Sequence, residues 1–415
     1  MIKRTLLINL IRHLKKKEIT FIIGPRQAGK TTLLHELKKH VEQQGKRAVY
    51  FNLDIERDMR MCVSQDTLLN KVSLEIGKSG YVFIDEIQRK GNAGLFLKGL
   101  YDMGLPYKFI VTGSGSVELK EKIHESLAGR KQMFELSTIS FVEFVNLKTA
   151  YRYEQKLPEL FRLEPQRIDG FLEEYMHYGG YPKLVLEETI DAKRTIMEEL
   201  YQSYLERDIV NFLGIKKSDA FTQLLRVMAS QIGNIVTASE LSRTLGISVQ
   251  TVQHYLWYME KTFLLQMVTP FFRNVRKEIT KAPTVYFLDL GMRNFAYGIF
   301  GNATEHQDNG FLFQNFVYRI LREKAQDNAA KIHFWRTTNK AEVDFVVDTG
   351  SAAIPIEVKY THLVKPTVSR SYRSFLSLYH PKHGYVIHLG KKQTMVVDHT
   401  TVHFLPYSEL IFQTL

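Results

Sequence analysis

Cysteine is almost absent from this chain: among 415 residues only Cys62 carries a thiol. One thiol excludes an internal disulfide and any zinc site built from several cysteines, and it suits a reducing cytosol. A lone cysteine also carries no signature of a catalytic nucleophile. Long hydrophobic runs are missing too, since no stretch approaches the ~20 apolar residues of a membrane span. The opening MIKRTLLINLIRHLKKK superficially resembles a signal peptide. Arg12 breaks its apolar run, no small-residue cleavage site follows, and three lysines come next. Leu6, Leu7, Leu10, Ile11 and Leu14 instead recur at helical spacing and predict an amphipathic first helix. A soluble, cytoplasmic protein with no membrane partner is expected. Internal repeats and low-complexity segments are absent, and 44% apolar with 24% charged residues excludes wholesale disorder. Acidic charge is in deficit: the formal net charge of +12 points to an anionic partner, nucleic acid first and an anionic surface second. A chain of 415 residues exceeds one ordinary core, so several domains are expected.

What is present is organised around FIIGPRQAGKTTLL, residues 21–34. An apolar strand runs into a glycine-framed loop and then into a helix with Leu33, Leu34, Leu37 and Val41 on one face. Gly24, Pro25, Arg26, Gln27, Ala28, Gly29, Lys30 and Thr31 fit the phosphate-loop pattern G-x-x-x-x-G-K-[ST], with Thr32 following. Glycines let backbone N–H groups turn around phosphate oxygens, and the helix N-terminus adds positive partial charge. Lys30 is placed for the β- and γ-phosphates of ATP, and the Thr31 hydroxyl for Mg²⁺. Gly45 is positioned to end the helix.

A strand at 47–53 and a helix around 65–76 follow, then YVFIDEIQ at 81–88. Two carboxylates closing an otherwise apolar strand have the form of a Walker B strand. Asp85 would hold Mg²⁺, directly or through water, and Glu86 would orient and deprotonate the attacking water. The strand KFIVTGSGS, 108–116, ends in small polar groups. In additional-strand P-loop ATPases such a strand lies between the other two, and Ser114 or Thr112 would touch the γ-phosphate or lytic water. A plain Gly/Ser turn is the alternative. A helix at 117–127 and a fifth strand, KQMFELS, flank LAGR. Arg130 is a candidate arginine finger, with a surface ion pair as the other reading.

Residues 141–232 are rich in helix formers and aromatics, broken by Gly179-Gly180-Tyr181-Pro182, and read as a helical lid. His177, Tyr178 and Tyr181 fit an aromatic core between helices. Thr237 to Glu240 is a capping box, Gly246-Ile247 a turn, and Ser248 caps a second helix whose buried side holds Val249, Val252, Leu256 and Met259. That is a helix-turn-helix. Gln250, Thr251, Gln253 and His254 would face outward, as groups that read base edges do, so residues 249–260 are a candidate DNA contact. The same unit also serves as a packing module. The run FFRNVRKEITK, 271–281, would be the wing.

The last third opens with TVYFLDLGMRN, 284–294, and a helix, FLFQNFVYRILREK. AEVDFVV and AIPIEVKY then read as a hairpin placing Asp344 beside Glu357 and Lys359. Two carboxylates and a lysine so arranged suit a second divalent metal site of the PD-(D/E)xK kind. An ordinary amphipathic sheet gives the same alternation. Residues 359–394 hold seven Lys or Arg and four His with no Asp or Glu, which favours a phosphate backbone as partner.

The order of these motifs resembles a large prokaryotic family of AAA-type ATPases that carry a winged-helix linker and a C-terminal domain of unknown function with a PD-(D/E)xK-like core. The resemblance covers nearly the full chain. It rests on GPRQAGKTTLL, FIDEIQ, VTGSGS, LAGR before ELSTISFVEF, GGYP, YLERDI, TVYFLDLGMRN, GFLFQNFVY, EVDFVV and PIEVKY. It implies ATP binding and hydrolysis by Lys30, Thr31, Asp85 and Glu86, with Ser114 as sensor and Arg130 as the family's Gly-Arg element. One departure stands out: the family's helix usually reads Glu-Asn, and here it reads Gln314-Asn315. The glutamate corresponds to an extra metal ligand in active nucleases, and a neutral amide is a weaker one.

The expected fold class is therefore α/β: a P-loop parallel sheet, a helical and winged-helix middle, and a restriction-endonuclease-like α/β end. The expected bounds are 1–140, 141–217, 218–282 and 283–415. The expected function is a Mg²⁺-dependent ATP-hydrolysing switch acting on DNA. The rivals are a nucleotide-dependent protein scaffold with a degenerate nuclease-like domain, and an ATP-gated nuclease. A finger acting in trans would require a homo-oligomer.

Overall fold

The computed structural model describes residues 2–114, 127–204, 219–272, 281–301 and 309–413. The chain forms two compact units: Met1–Glu143 with Tyr181–Lys183 and Tyr258–Leu264, and the remainder.

The first unit holds five parallel strands: β1 (Ile19–Gly24), β2 (Ala48–Asn52), β3 (Gly80–Asp85), β4 (Tyr107–Ser114) and β5 (Lys131–Glu135). Their order is β2-β3-β4-β1-β5, so β4 lies between the loop-bearing and acidic strands, as the sequence suggests. β1 is flanked by β4 and β5 and every residue of it is buried, which is why it reads as a nearly all-apolar strand. The helix Lys30–Gln43 buries Leu33, Leu34, Leu37 and Val41, and Gly45 follows its end with φ 72°. The amphipathic helix Leu6–His13 packs Leu10 into the same core, with Leu6, Leu7 and Ile11 partly buried against it. Gln65–Ile76 starts at Ser64, whose hydroxyl accepts the Thr67 N–H at 3.1 Å. The helix expected at 117–127 lies almost wholly outside the described residues.

In the second unit, the helix Leu290–Tyr297 packs against Pro165–Tyr178, Ile190–Ser203 and Asp219–Ser230. The helix-turn-helix is present as Ala238–Leu245 and Val249–Lys261, with Thr237 capping the first and Gly246 left-handed at φ 65°. Val249 departs from expectation at 41% exposed, because it sits in the first turn beside the solvent-facing cap; Val252, Leu256 and Met259 are buried. An antiparallel hairpin of β6 (Leu265–Val268) and β7 (Thr284–Phe287) follows. Residues 273–280 of the expected wing lie outside the described residues. β7 pairs with β6 and not with the C-terminal sheet. It ends at Phe287, and Asp289 Oδ1 then accepts the Met292 N–H at 3.1 Å to start the next helix.

After the long helix Asn309–Asn328 comes a mixed sheet of β8 (Lys331–Arg336), β9 (Glu342–Asp348), β10 (Ala353–Val358), β11 (His383–His388), β12 (Gln393–Val397) and β13 (Thr400–Pro406). The order is β12-β13-β11-β10-β9-β8, and β9 and β10 form the expected hairpin. The helix Arg370–Tyr379 packs on β9 and β10 and seats Tyr372, Phe375 and Leu376 in the core with Trp335, Val346 and Phe404.

Candidate nucleotide site

The phosphate loop leaves β1 at the C-terminal edge of the parallel sheet, where open α/β sheets bind ligands. Gly24 is required by close approach: a Cβ there would lie 2.1 Å from the Leu136 carbonyl oxygen. Gln27 (φ 54°) and Gly29 (φ 96°) are left-handed, which turns successive amides into a concave nest at the start of the helix. Lys30 is buried, and its Nζ donates to the carbonyls of Pro25 (2.8 Å) and Gly24 (3.2 Å) within the loop.

Asp85 closes β3 and is wholly buried. Its Oδ2 accepts from Thr31 Oγ1 at 2.7 Å and from the Tyr50 hydroxyl at 2.9 Å. Its Oδ1 accepts from Thr112 Oγ1 and from the Glu86 N–H. Thr112 Oγ1 also accepts the Glu86 N–H at 3.1 Å. Glu86 is left-handed at φ 56°, a strained conformation for a side-chain-bearing residue, of the sort concentrated at functional sites. Gln88 donates to its Oε2. Burial foremost raises the Glu86 pKa, Asp85 adds to the rise, and the Lys30 ammonium opposes it.

The fold thus gathers Lys30, Thr31, Asp85, Glu86 and Thr112, and adds Tyr50 and Gln88. On β4, Thr112 is bonded to the acidic pair; the Ser114 backbone pairs with Gly24 at the strand tip. Tyr50 had no signal in the sequence, because an aromatic in a strand reads as packing.

Arg130 lies apart from this chain's own phosphate loop. Lys131 pairs with Ile19, at the opposite edge of the sheet from Gly24. The six residues of β1, roughly 20 Å of strand, separate the two edges. Arg130 instead forms a surface pair with Asp102, Nε to Oδ1 at 2.7 Å. Cys62 is buried, and burial pushes its thiol up to about 12.

The second expected site also assembles. Asp344 Oδ1 accepts from the Gln314 amide at 2.9 Å and Oδ2 from the Val358 N–H at 2.7 Å. Glu357 meets Lys359 Nζ at 2.8 Å and the Ser369 hydroxyl at 3.1 Å. Every carboxylate oxygen therefore already accepts a donor. Among the described residues there is no group of three or more His, Cys, Asp or Glu able to hold a metal ion. None of the helices among the described residues is long and apolar enough to cross a membrane.

Comparison with known proteins agrees with this layout. Residues 16–145 match the family model of an AAA domain. The first unit is an α/β fold whose parallel sheet resembles that of P-loop ATPases. Residues 170–303 and 309–410 match two domains of unknown function, DUF8612 and DUF4143. An uncharacterised protein of Mycobacterium tuberculosis is 28% identical over 378 residues, 90% of this chain and 77% of its own length. One from Methanocaldococcus jannaschii is 25% identical over 352 residues, 83% of this chain and 75% of its own length. Among solved structures, a DNA polymerase III gamma subunit-related protein of Thermotoga maritima is 18% identical, covering 62% of this chain and 97% of its own, at a TM-score of 0.28. AMPPCP-bound DnaA of Aquifex aeolicus is 15% identical, covering 62% and 86%, also at 0.28. At such TM-scores these two likenesses carry no functional weight.

Proposed function

We propose that this chain binds and hydrolyses ATP as a nucleotide-driven switch acting on DNA. The observation that carries the reading is the 2.7 Å bond from Thr31 to Asp85, which joins phosphate loop and acidic strand at one point beside Glu86. Lys30 would exchange the loop carbonyls for β- and γ-phosphate oxygens. The Thr31 hydroxyl and the Asp85 carboxylate are hard oxygen donors, the kind Mg²⁺ takes, and they would hold it. The bound ion would supply neutralisation of phosphate charge. Glu86, its pKa raised by burial, is poised as the base for the attacking water. Thr112 would orient the acidic pair, and Ser114 would face the γ-phosphate. Arg130 would act only on a neighbouring subunit, in a homo-oligomer.

Two features support DNA as the object. Gln250, Gln253 and His254 are exposed on the second helix of the helix-turn-helix. All seven Lys and Arg between 359 and 394 are exposed. The neutral amide of Gln314, which donates to Asp344, is a weaker metal ligand than a glutamate and favours a nuclease-like domain used for binding over one that cleaves, and the protein-scaffold reading shares that domain.

The test is the ATPase rate of the full chain with and without duplex DNA across a salt series, beside Glu86→Gln. DNA stimulation that fades with salt is expected. Glu86→Gln should keep nucleotide binding and lose about 10²-fold or more in rate. A slow rate indifferent to DNA would overturn the DNA reading in favour of the scaffold.

A further inference from the structure

We infer that Arg4 is a positioning residue of the phosphate loop, fixing the Ala28–Gly29 peptide so that the Gly29 N–H faces the bound phosphates. The inference rests on the ATP reading above. Arg4 is 8% exposed, and its guanidinium reaches three separate segments. Nη1 donates to the Ala28 carbonyl at 2.8 Å. Nη2 donates to Ser137 O at 2.7 Å and to Thr138 O at 3.4 Å. Nε donates to Glu143 Oε2 at 3.0 Å, and Glu143 Oε1 takes the Thr5 N–H at 2.7 Å.

The peptide bond is planar and trans, so its C=O and N–H point in opposite directions. Holding the Ala28 oxygen outward on Arg4 therefore turns the Gly29 N–H toward the concave side of the loop. That plane lies between the left-handed Gln27 and Gly29, and the guanidinium bond to the Ala28 oxygen holds it in one direction. A donor already oriented adds to anion affinity because no reorganisation accompanies binding. Arginine is the residue this needs. Its planar fork of five donors spans acceptors on three segments, whereas lysine offers one compact ammonium. Glu143 neutralises the buried cation, and Ser137 and Thr138 anchor its far side to the turn after β5.

The test measures binding of a fluorescent ATP analogue and competition by inorganic pyrophosphate on the full-length protein, with steady-state hydrolysis and a thermal melt for each variant. Arg4→Ala should weaken ATP and pyrophosphate alike by about tenfold, with the loss in KM and kcat within about twofold of wild type. Arg4→Lys should fall between, since it keeps a cation beside Glu143 but cannot bridge all the carbonyls. Affinity in Arg4→Ala within twofold of wild type would overturn the assignment. So would a loss seen with ATP but not with pyrophosphate, which would place the effect on the base. Should Arg4→Ala fail to fold, Arg4→Lys decides alone: unchanged pyrophosphate competition overturns the inference. Failure of the wild-type protein to bind ATP would refute the nucleotide reading instead.

Discussion

At the scale of single residues, carboxylates in similar sequence surroundings have been given different work by their partners. Asp85 accepts from the hydroxyls of Thr31, Tyr50 and Thr112 and from the Glu86 N–H, whereas Asp344 accepts from the Gln314 amide and the Val358 N–H. Burial is the main reason that Asp344 is raised from 3.8 to about 7; Glu357 adds to the rise, and the Val358 N–H and Lys359 oppose it. The folded chain thus holds this proton more tightly than the unfolded chain does. Its contribution to stability is fully present below pH 3.8 and is lost as pH rises through about 7. Asp344→Asn, neutral throughout, is expected to gain on wild type in melting temperature between pH 5 and pH 8. An offset that stays constant across that range would show that another group titrates.

At the scale of elements, the motifs outside the phosphate site hold helices together. Asp289 caps its own helix through Met292 and also accepts the Gly180 N–H at 2.8 Å, 109 residues away. Asn294 donates to the carbonyls of Met176 and His177, closing the same helix end. Asn315 pairs with both backbone groups of Phe287, at 2.8 Å each. Gly179, at φ 75°, is pressed so close that a Cβ would sit 2.2 Å from Asp289 Oδ1 and 2.6 Å from the Gly291 nitrogen. Gly179→Ala is expected to cost about 2–4 kcal/mol, read from a denaturant melt. Gly170, inside the helix Pro165–Tyr178 with open space around it, is the control; alanine there should stabilise by about 0.5–1 kcal/mol. Equal effects at the two sites would remove the packing argument. The sequence marks GGYP as a turn because glycine and proline punctuate helices. That the turn is a docking point for Asp289 depends on a partner the local pattern does not name.

At the scale of the whole molecule, the charge that marks the chain as a binder of anions is concentrated in one stretch. Arg370, Arg373, Lys382 and Lys391 are all exposed, while His388 from the same run is buried and contributes no surface charge. Replacing these four cations with glutamine should weaken DNA binding and flatten the plot of log affinity against log salt. Each lost phosphate contact should reduce the slope by about 0.9. The ATPase rate without DNA should stay at the wild-type value. An unchanged slope would assign DNA contact to the helix-turn-helix or remove it from the working cycle.

The sequence by itself determined the phosphate loop, the acidic strand, the two capped helices and the hairpin carrying Asp344 and Glu357. In each, the residues that matter are neighbours on one element or on two joined by a short turn, so spacing and turn chemistry encode them. Only the tertiary structure decided that Arg4 reaches Ala28, that Thr112 bonds Asp85, and that β7 pairs with β6. It also decided that Arg130 stands at the far edge of the sheet and that Gln314 closes Asp344. Those outcomes follow from strand order and from contacts between distant segments. Such contacts leave no period in the sequence, because each partner alone reads as an ordinary surface or core residue.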